Sequence, residues 1–298
     1  MAKIAALLIW AFATTAFAQD YAKDLPLIPG KFVDIGTHKL HYRCEGTGRP
    51  TLVIDNGIAG SAADWYRVQG LLASRYRTCV YDRAGYVWSE PGPAPRTTTQ
   101  IASELKSLLE NSGEPGPFVF IGHSFGGFTA LRMASVMAEQ VAGLVLVDSS
   151  SPNVFFEYDK QQGPIVNPIA AGAATGTDGV PSNPQEMARF LNSRRKALFV
   201  QMDEIANFRV SAKQVIDEQA LRNLPMLVVA RDVQAAADST QENREAEWRR
   251  AQQQITALSK ASEFVLAEGS DHFIHLRKPN WLAGRIDSFV AGLLTNGI

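Results

Sequence analysis

The chain has 298 residues, of which 46% are hydrophobic, enough for a substantial buried core in one large domain or two small ones. Its 29 basic and 30 acidic residues give a formal net charge of −1, so no strongly basic surface indicates a nucleic-acid partner. This balance suits a neutral small-molecule substrate.

The first residues are typical of a secretory signal peptide. Lys3 precedes an apolar run from Ile4 to Ala13, and the small-residue pattern Ala16-Phe17-Ala18 follows. A membrane-spanning helix needs about 20 apolar residues, so this stretch is too short to serve as an anchor. We expect cleavage after Ala18, which leaves a mature chain of net charge −2, exported to the periplasm or the medium and without stable membrane insertion.

The two cysteines, Cys44 and Cys79, allow a single intramolecular disulfide. Both lie in strand-like segments, and an oxidising compartment would favour the bridge. Two buried free thiols are the alternative that the sequence leaves open.

Short apolar, β-rich runs alternate with helical patterns along the rest of the chain. This alternation predicts an α/β fold with a mostly parallel, eight-stranded twisted sheet that carries helices on both faces. The first two strands are separated by Gly36 and Thr37 and are expected to form an antiparallel hairpin. The predicted strands are Lys31 to Ile35, Lys39 to Cys44, Thr51 to Asp55, Thr78 to Tyr81, Phe118 to Ile121, Leu144 to Val147, Met226 to Ala230 and Glu263 to Ala267.

Apolar residues at helical spacing predict amphipathic helices around Ile101, Trp248 and Leu282. Between residues 149 and 223 no strand-like run occurs, and helical stretches flank the Gly/Ala-rich segment 170–179. We interpret residues 149–223 as an inserted helical lid, called the lid region below. The core of the fold would then comprise residues 19–148 and 224–298.

The strongest chemical signal is the segment Gly122-His123-Ser124-Phe125-Gly126, which follows an apolar strand and precedes a helical pattern. Glycines on both sides of the serine permit a sharp turn that projects the hydroxyl group. A bare Gly-x-Ser-x-Gly also occurs in ordinary strand-to-helix turns. With the flanking strand and helix, the pattern predicts a nucleophile elbow at Ser124.

A serine hydroxyl needs a base, and histidine is the usual one. His38 and His41 fall in the first hairpin, and the side chain of His123 is expected to point away from the nucleophile. His272 follows the last predicted strand, at the edge of the sheet where Ser124 is expected. We therefore predict His272 as the base and assign His275 a structural role.

These pieces resemble the α/β-hydrolase superfamily over nearly the whole mature chain. The matching motifs are Asp55-Asn56-Gly57-Ile58, Tyr81 to Ser89, the elbow at Ser124, and Gly269 to His272. Asn56 stands where many members have histidine. The resemblance implies an oxyanion hole built from the backbone N–H groups of Ile58 and Phe125, and a loop-holding role for Asp82 and Arg83.

The acid that orients the histidine has two candidates. Asp148 ends the sixth strand, a position that resembles the acid of some lipase-like members. Asp232 follows the seventh strand, whose loop carries the acid in most members, but its spacing is unusual. We prefer Asp148 and keep Asp232 as the alternative; either could instead cap a helix.

Together these features predict a serine hydrolase that cleaves a carboxylic ester or similar acyl bond of a small molecule through an acyl-enzyme intermediate. The mechanism requires no metal or organic cofactor. Lipase, thioesterase, amidase, peptidase and perhydrolase chemistry remain open on this fold, as does a non-catalytic, hydrolase-like binding protein. The sequence leaves the oligomeric state open.

Overall fold

The computed structural model describes residues 30–152, 184–215, 217–233, 239–295 and 297. The predicted signal peptide, the segment 170–179 and much of the lid region lie outside the described residues. Among those described, no helix combines the length and apolar character needed to cross a bilayer.

Eight strands form one sheet, as the sequence predicts. In chain order they are β1 (Lys31–Asp34), β2 (Lys39–Glu45), β3 (Thr51–Asp55), β4 (Arg77–Tyr81), β5 (Phe118–His123), β6 (Val141–Val147), β7 (Met226–Asp232) and β8 (Ser262–Glu268). The spatial order is β1-β2-β4-β3-β5-β6-β7-β8. β2 pairs antiparallel with β1 and with β4, and the pairs from β4 through β8 are parallel. The predicted α/β class and the antiparallel hairpin are therefore confirmed.

Helices cover both faces of the sheet. They are α1 (Tyr66–Ala73), α2 (Thr98–Ser112), α3 (Gly126–Val136), α4 (Pro184–Asn192), α5 (Arg195–Ala206), α6 (Phe208–Lys213), α7 (Glu218–Leu221), α8 (Ser239–Thr256), α9 (Ile274–Arg277) and α10 (Pro279–Thr295). Helices α4 to α7 occupy the described part of the lid region between β6 and β7.

The central strand β5 shows why the core has two halves. Its side chains alternate, so Phe118 and Phe120 pack in one apolar cluster with Ile101 of α2, while Val119 and Ile121 pack in another. The second cluster includes residues of α1 and α10. Each fully buried large apolar side chain contributes about 1.5–3 kcal/mol relative to exposure, which explains the continuous apolar run in this strand.

Cys44 and Cys79 are directly opposite each other in the antiparallel β2–β4 pair and form a disulfide bond. Their Cα atoms are 4.0 Å apart. The bridge therefore joins two strands that the sheet already holds side by side.

Candidate active site

Ser124 lies in the turn between β5 and α3, at the carboxyl end of a central strand. Its backbone has φ +52°, a left-handed conformation that is uncommon for a residue other than glycine. The Ser124 N–H donates to the carbonyl of Val147 at 3.2 Å, and its carbonyl accepts from Ser150 N at 2.9 Å. Neighbouring backbone therefore holds the strained turn, which is the geometry of a nucleophile elbow.

Two of the elbow glycines are required by close packing. A Cβ on Gly122 would lie 2.4 Å from the carbonyl oxygen of Gly126, and a Cβ on Gly126 would lie 2.4 Å from that of Asp55. In both cases the added Cβ would clash with a backbone atom, which cannot move aside without shifting a strand or a helix. The Gly-x-Ser-x-Gly spacing therefore lets the turn pack tightly against β3 as well as bend.

His272 and Asp148 are brought together although 124 residues separate them. His272 lies in the loop after β8, and Asp148 directly follows β6, where its backbone has φ +43°. Asp148 Oδ2 lies 2.6 Å from His272 Nδ1, so the ring donates from Nδ1 to the carboxylate and Nε2 is left to act as a base. Among the described residues no hydrogen bond joins Ser124 to the His272 ring; such bonds often tighten only when substrate is bound.

The carboxylate of Asp148 is fully buried and fully hydrogen-bonded. Besides His272, it accepts from Trp248 Nε1 at 2.7 Å, from Arg231 N at 2.9 Å and from Arg231 Nη1 at 3.1 Å. Burial alone would raise the pKa of Asp148, but the hydrogen bond and charge of His272, together with Arg231, lower it to about 2. The Asp148 carboxylate is therefore ionised near neutral pH.

The alternative acid, Asp232, is engaged elsewhere. It is the last residue of β7, and its Oδ1 accepts a hydrogen bond from Arg249 Nη2 at 2.6 Å. Asp271, next to His272, pairs with Arg277 at 3.0 Å and accepts from Phe273 N. Among the described carboxylates, Asp148 is the one that accepts the hydrogen bond from the His272 ring.

His123 is closer to the site than expected. The expectation that its side chain points away is wrong, because its ring centroid lies 4.6 Å from that of His272 and its Nε2 donates to the His272 carbonyl oxygen at 2.9 Å. Burial, together with the neighbouring His272, lowers the pKa of His123 to about 3. A neutral His123 therefore supports the backbone of the predicted base.

His275 occupies the structural position assigned to it. Its ring is buried and stacks on Trp65 with centroids 4.5 Å apart and an interplanar angle of 8°. Burial lowers the pKa of His275 well below its ordinary value, so this ring is also neutral.

The predicted oxyanion loop, residues 55–60, runs from the end of β3 past Ser124. A Cβ on Gly57 would lie 3.0 Å from Ser124 Cβ, so the Gly57 backbone lies against the serine side chain. Within the described part of the chain, the N–H groups of Ile58 and Phe125 have no hydrogen-bond partner. Both are thus available to bind negative charge on a substrate oxygen.

Arg83 holds this loop, in line with its implied role, whereas Asp82 binds the chain just beyond the loop. Asp82 Oδ1 accepts from Ala62 N at 2.9 Å, and its Oδ2 lies 2.9 Å from His41 Nδ1. Arg83 donates to the carbonyl oxygens of Asn56 and Gly57.

Sequence reasoning missed three partners of the site: Arg231 and Trp248 on Asp148, and Glu204 of α5 on Arg83. Trp248 was visible only as part of an apolar helical stripe. Its indole N–H, which needs a partner when buried, was the available signal.

One group of potential metal ligands occurs among the described residues: Cys44, Cys79 and Glu114. The two sulfur atoms are bonded to each other, so neither is a free thiolate for a metal ion.

Comparison with known proteins agrees with this architecture. Residues 52–285 match the model of the Alpha/beta hydrolase family. RutD of Stutzerimonas stutzeri, which is named as a carbamate hydrolase, is 36% identical over 118 residues, covering 39% of this chain and 44% of RutD. The protein efuK of Hormonema carpetanum, named as a transporter, is 32% identical over 144 residues, covering 46% of this chain and 20% of efuK. The chain thus spans less than half the length of either relative.

Among solved structures, the serine hydrolase CarC, involved in carbazole degradation, superposes with a TM-score of 0.66 at 20% identity, covering 88% of this chain and 98% of CarC. This similarity concerns the fold. Since the family model spans most of the sequence, the chain belongs to the alpha/beta hydrolase family.

Proposed function

We propose that this protein is a serine hydrolase that cleaves a carboxylic ester or similar acyl bond of a small molecule. Ser124 is the nucleophile, His272 the base and Asp148 the acid. The observation that carries the proposal is the 2.6 Å hydrogen bond between Asp148 and His272 Nδ1, together with the elbow conformation of Ser124.

In this mechanism His272 Nε2 takes the proton of the Ser124 hydroxyl as its oxygen attacks the carbonyl carbon of the substrate. The carbonyl oxygen gains negative charge, which the N–H groups of Ile58 and Phe125 stabilise. His272 then donates its proton to the leaving group, and an acyl-enzyme remains. Water, activated by the same imidazole, releases the acid and restores the serine.

The similarity to RutD favours carbamates as a second class of substrate. A carbamate is also attacked at a carbonyl carbon, and the proposed residues would serve its hydrolysis without change. A carbamate should therefore be tested as a substrate together with the esters.

A set of p-nitrophenyl esters of graded chain length tests the proposal on wild type and Ser124→Ala. Ser288→Ala is the matched control, since its hydroxyl on α10 is exposed and bonds only to Gly284 O. We expect Ser124→Ala to lose at least about 10³-fold in kcat and the control to match wild type. Equal rates in wild type and Ser124→Ala would refute catalysis by Ser124 and favour a non-catalytic binding protein.

Two further parts of the proposal concern residues that lie wholly or partly outside the described ranges. We propose that residues 1–18 are a cleaved signal peptide and that residues 149–223 form a lid over the site. The Cys44–Cys79 disulfide supports export, because such bonds persist in oxidising compartments. The intact mass of protein recovered from the periplasm or medium tests the cleavage, and a mass that retains residues 1–18 would refute it.

A further inference from the structure

Arg83 lies directly behind the oxyanion loop, with only 3% of its surface exposed. Its Nη2 donates to the carbonyl oxygen of Gly57 at 2.9 Å, and its Nη1 donates to that of Asn56. A single guanidinium therefore binds two consecutive carbonyl groups of the loop.

The counter-charge of Arg83 comes mainly from the lid region. Glu204 of α5, 121 residues away and fully buried, binds Arg83 in a bidentate manner, with Nε–Oε1 at 2.9 Å and Nη2–Oε2 at 3.1 Å. Asp55 of β3 contributes a second carboxylate at 2.8 Å. Burial alone would lower the pKa of Arg83, but these carboxylates raise it well above its ordinary value, so the guanidinium stays charged.

The bond to Gly57 has a geometric consequence. In a planar trans peptide the C=O and N–H groups point in opposite directions. Since Arg83 holds the Gly57 carbonyl on one side, the Ile58 N–H of the same peptide is directed to the other side. A cation on the carbonyl also polarises the peptide and strengthens its N–H as a donor.

The next residues of the loop are held from the same region. Asn192 at the end of α4 donates from Nδ2 to the carbonyl oxygens of Ala59 at 3.0 Å and Gly60 at 3.3 Å. Ala59 has φ +62°, a strained conformation, and its N–H donates to the Tyr86 hydroxyl at 3.3 Å. Tyr86 in turn donates to Glu204 Oε2 at 2.7 Å. Glu204 thus supports the loop through both Arg83 and Tyr86.

We propose that Arg83 and Glu204 form a positioning pair, through which the docking of α5 fixes the Ile58 N–H in the oxyanion hole. Neither residue contacts the reacting atoms. The inference rests on the proposed function, because a fixed N–H matters only if negative charge develops beside it. It adds that α5 is a structural part of the catalytic apparatus.

The test compares Glu204→Gln with Glu110→Gln. Glutamine keeps the shape of Glu204 and removes the charge that balances Arg83, whereas Glu110 is an exposed partner of Lys106 and serves as the matched control. For a p-nitrophenyl ester we expect Glu204→Gln to lower kcat about 10- to 100-fold with KM within about 2-fold, since a weakened oxyanion donor acts on the transition state. The inhibition constant of phenylboronic acid, which forms a negatively charged tetrahedral adduct with a catalytic serine, should rise by a similar factor.

Tyr86→Phe is the second variant, for use if Glu204→Gln does not fold. It removes only the hydroxyl that links Ala59 N to Glu204. We expect kcat to fall about 3- to 10-fold with KM little changed, and the inhibition constant of phenylboronic acid to rise by a similar factor. Unchanged kcat and boronate affinity in the folded variants, or a rise in KM alone, would overturn the positioning role. Full activity of Ser124→Ala would instead refute the proposed function, so the two failures are distinguishable.

Discussion

The carboxylate of Asp148 bonds at the same oxygen to His272 Nδ1, at 2.6 Å, and to Arg231 Nη1, at 3.1 Å. The acid of the proposed triad therefore shares its charge between an imidazole and a guanidinium. Arg231 is itself fixed by a bidentate ion pair with Glu245 and lies over the Trp248 ring. This arrangement fixes the orientation of the carboxylate.

The first prediction concerns the identity of the acid. Asp148→Asn should keep the fold but lose about 10³- to 10⁴-fold in kcat, because the amide favours the wrong imidazole tautomer and lacks the charge that stabilises the imidazolium. Asp232→Asn, which affects only the pair with Arg249, should retain activity near that of wild type. Ester hydrolysis rates with circular dichroism as the folding control provide the measurement. A larger loss for Asp232→Asn would reverse the assignment.

The second prediction concerns Arg231, which holds the carboxylate of Asp148. Its Nη1 donates at 3.1 Å to the same oxygen that binds His272, and Glu245 fixes its guanidinium. Arg231→Gln removes this donor and the ion pair with Glu245, so Asp148 should orient the imidazole less firmly. We expect kcat for a p-nitrophenyl ester to fall about 10-fold.

Arg249→Gln is the control for this change, since its partner Asp232 lies outside the proposed triad. Its kcat for the same ester should match that of wild type. An unchanged kcat in Arg231→Gln would show that Arg231 does not position the acid.

The third prediction concerns stability in acid. The pKa of His123 is about 3 in the folded protein, compared with 6.5 for an exposed histidine, because burial disfavours the charged ring. Between pH 3 and pH 6.5 the unfolded chain therefore binds more protons at His123 than the folded protein does. The neutral, buried ring contributes its full share to the free energy of unfolding above pH 6.5, and this share is lost as the pH falls toward 3. Within that range, one such histidine lowers the free energy of unfolding by about 1.4 kcal/mol for each unit by which the pH falls.

His123→Gln can keep a donor toward the His272 carbonyl but does not titrate. From pH 7 to pH 5 its free energy of unfolding should fall by about 2 kcal/mol less than that of wild type. Urea denaturation at the two pH values measures the difference. An identical fall in both proteins would show that His123 is not a source of acid sensitivity.

The fourth prediction concerns the disulfide. Cys44 and Cys79 are 35 residues apart in sequence, and closing a loop of this length in the unfolded chain stabilises the fold by about 4 kcal/mol in the chain-entropy description. The Cys44→Ser, Cys79→Ser double variant should lose about that much free energy of unfolding while keeping esterase activity, because the bridge joins β2 and β4, outside the proposed triad. Alkylation of two thiols in the unreduced wild type would contradict the bridge.

Periodicity was sufficient to predict the sheet. Each predicted strand matches an observed one within a few residues, and the central strands β3, β5 and β6, which are buried on both faces, appear as continuous apolar runs. The elbow was also visible, since close backbone packing requires glycines on both sides of Ser124.

The hydrogen-bond partners of Asp148 could not be predicted from the sequence. Arg231 and Trp248 reach Asp148 across 83 and 100 residues, and no local pattern encodes such pairings. The contact of His123 with the His272 carbonyl spans 149 residues and has no local signal either. A Cβ at Gly57 would meet both Ser124 Cβ at 3.0 Å and His123 Nδ1 at 3.1 Å, so both side chains lie against the same loop.

Covalent labelling with a fluorophosphonate, followed by peptide mapping, tests the central claim most directly. The account predicts a single stoichiometric adduct on Ser124, absent from Ser124→Ala and strongly slowed in His272→Ala, since the unassisted hydroxyl is a poor nucleophile. An adduct on a different residue, or full labelling of Ser124→Ala, would contradict it.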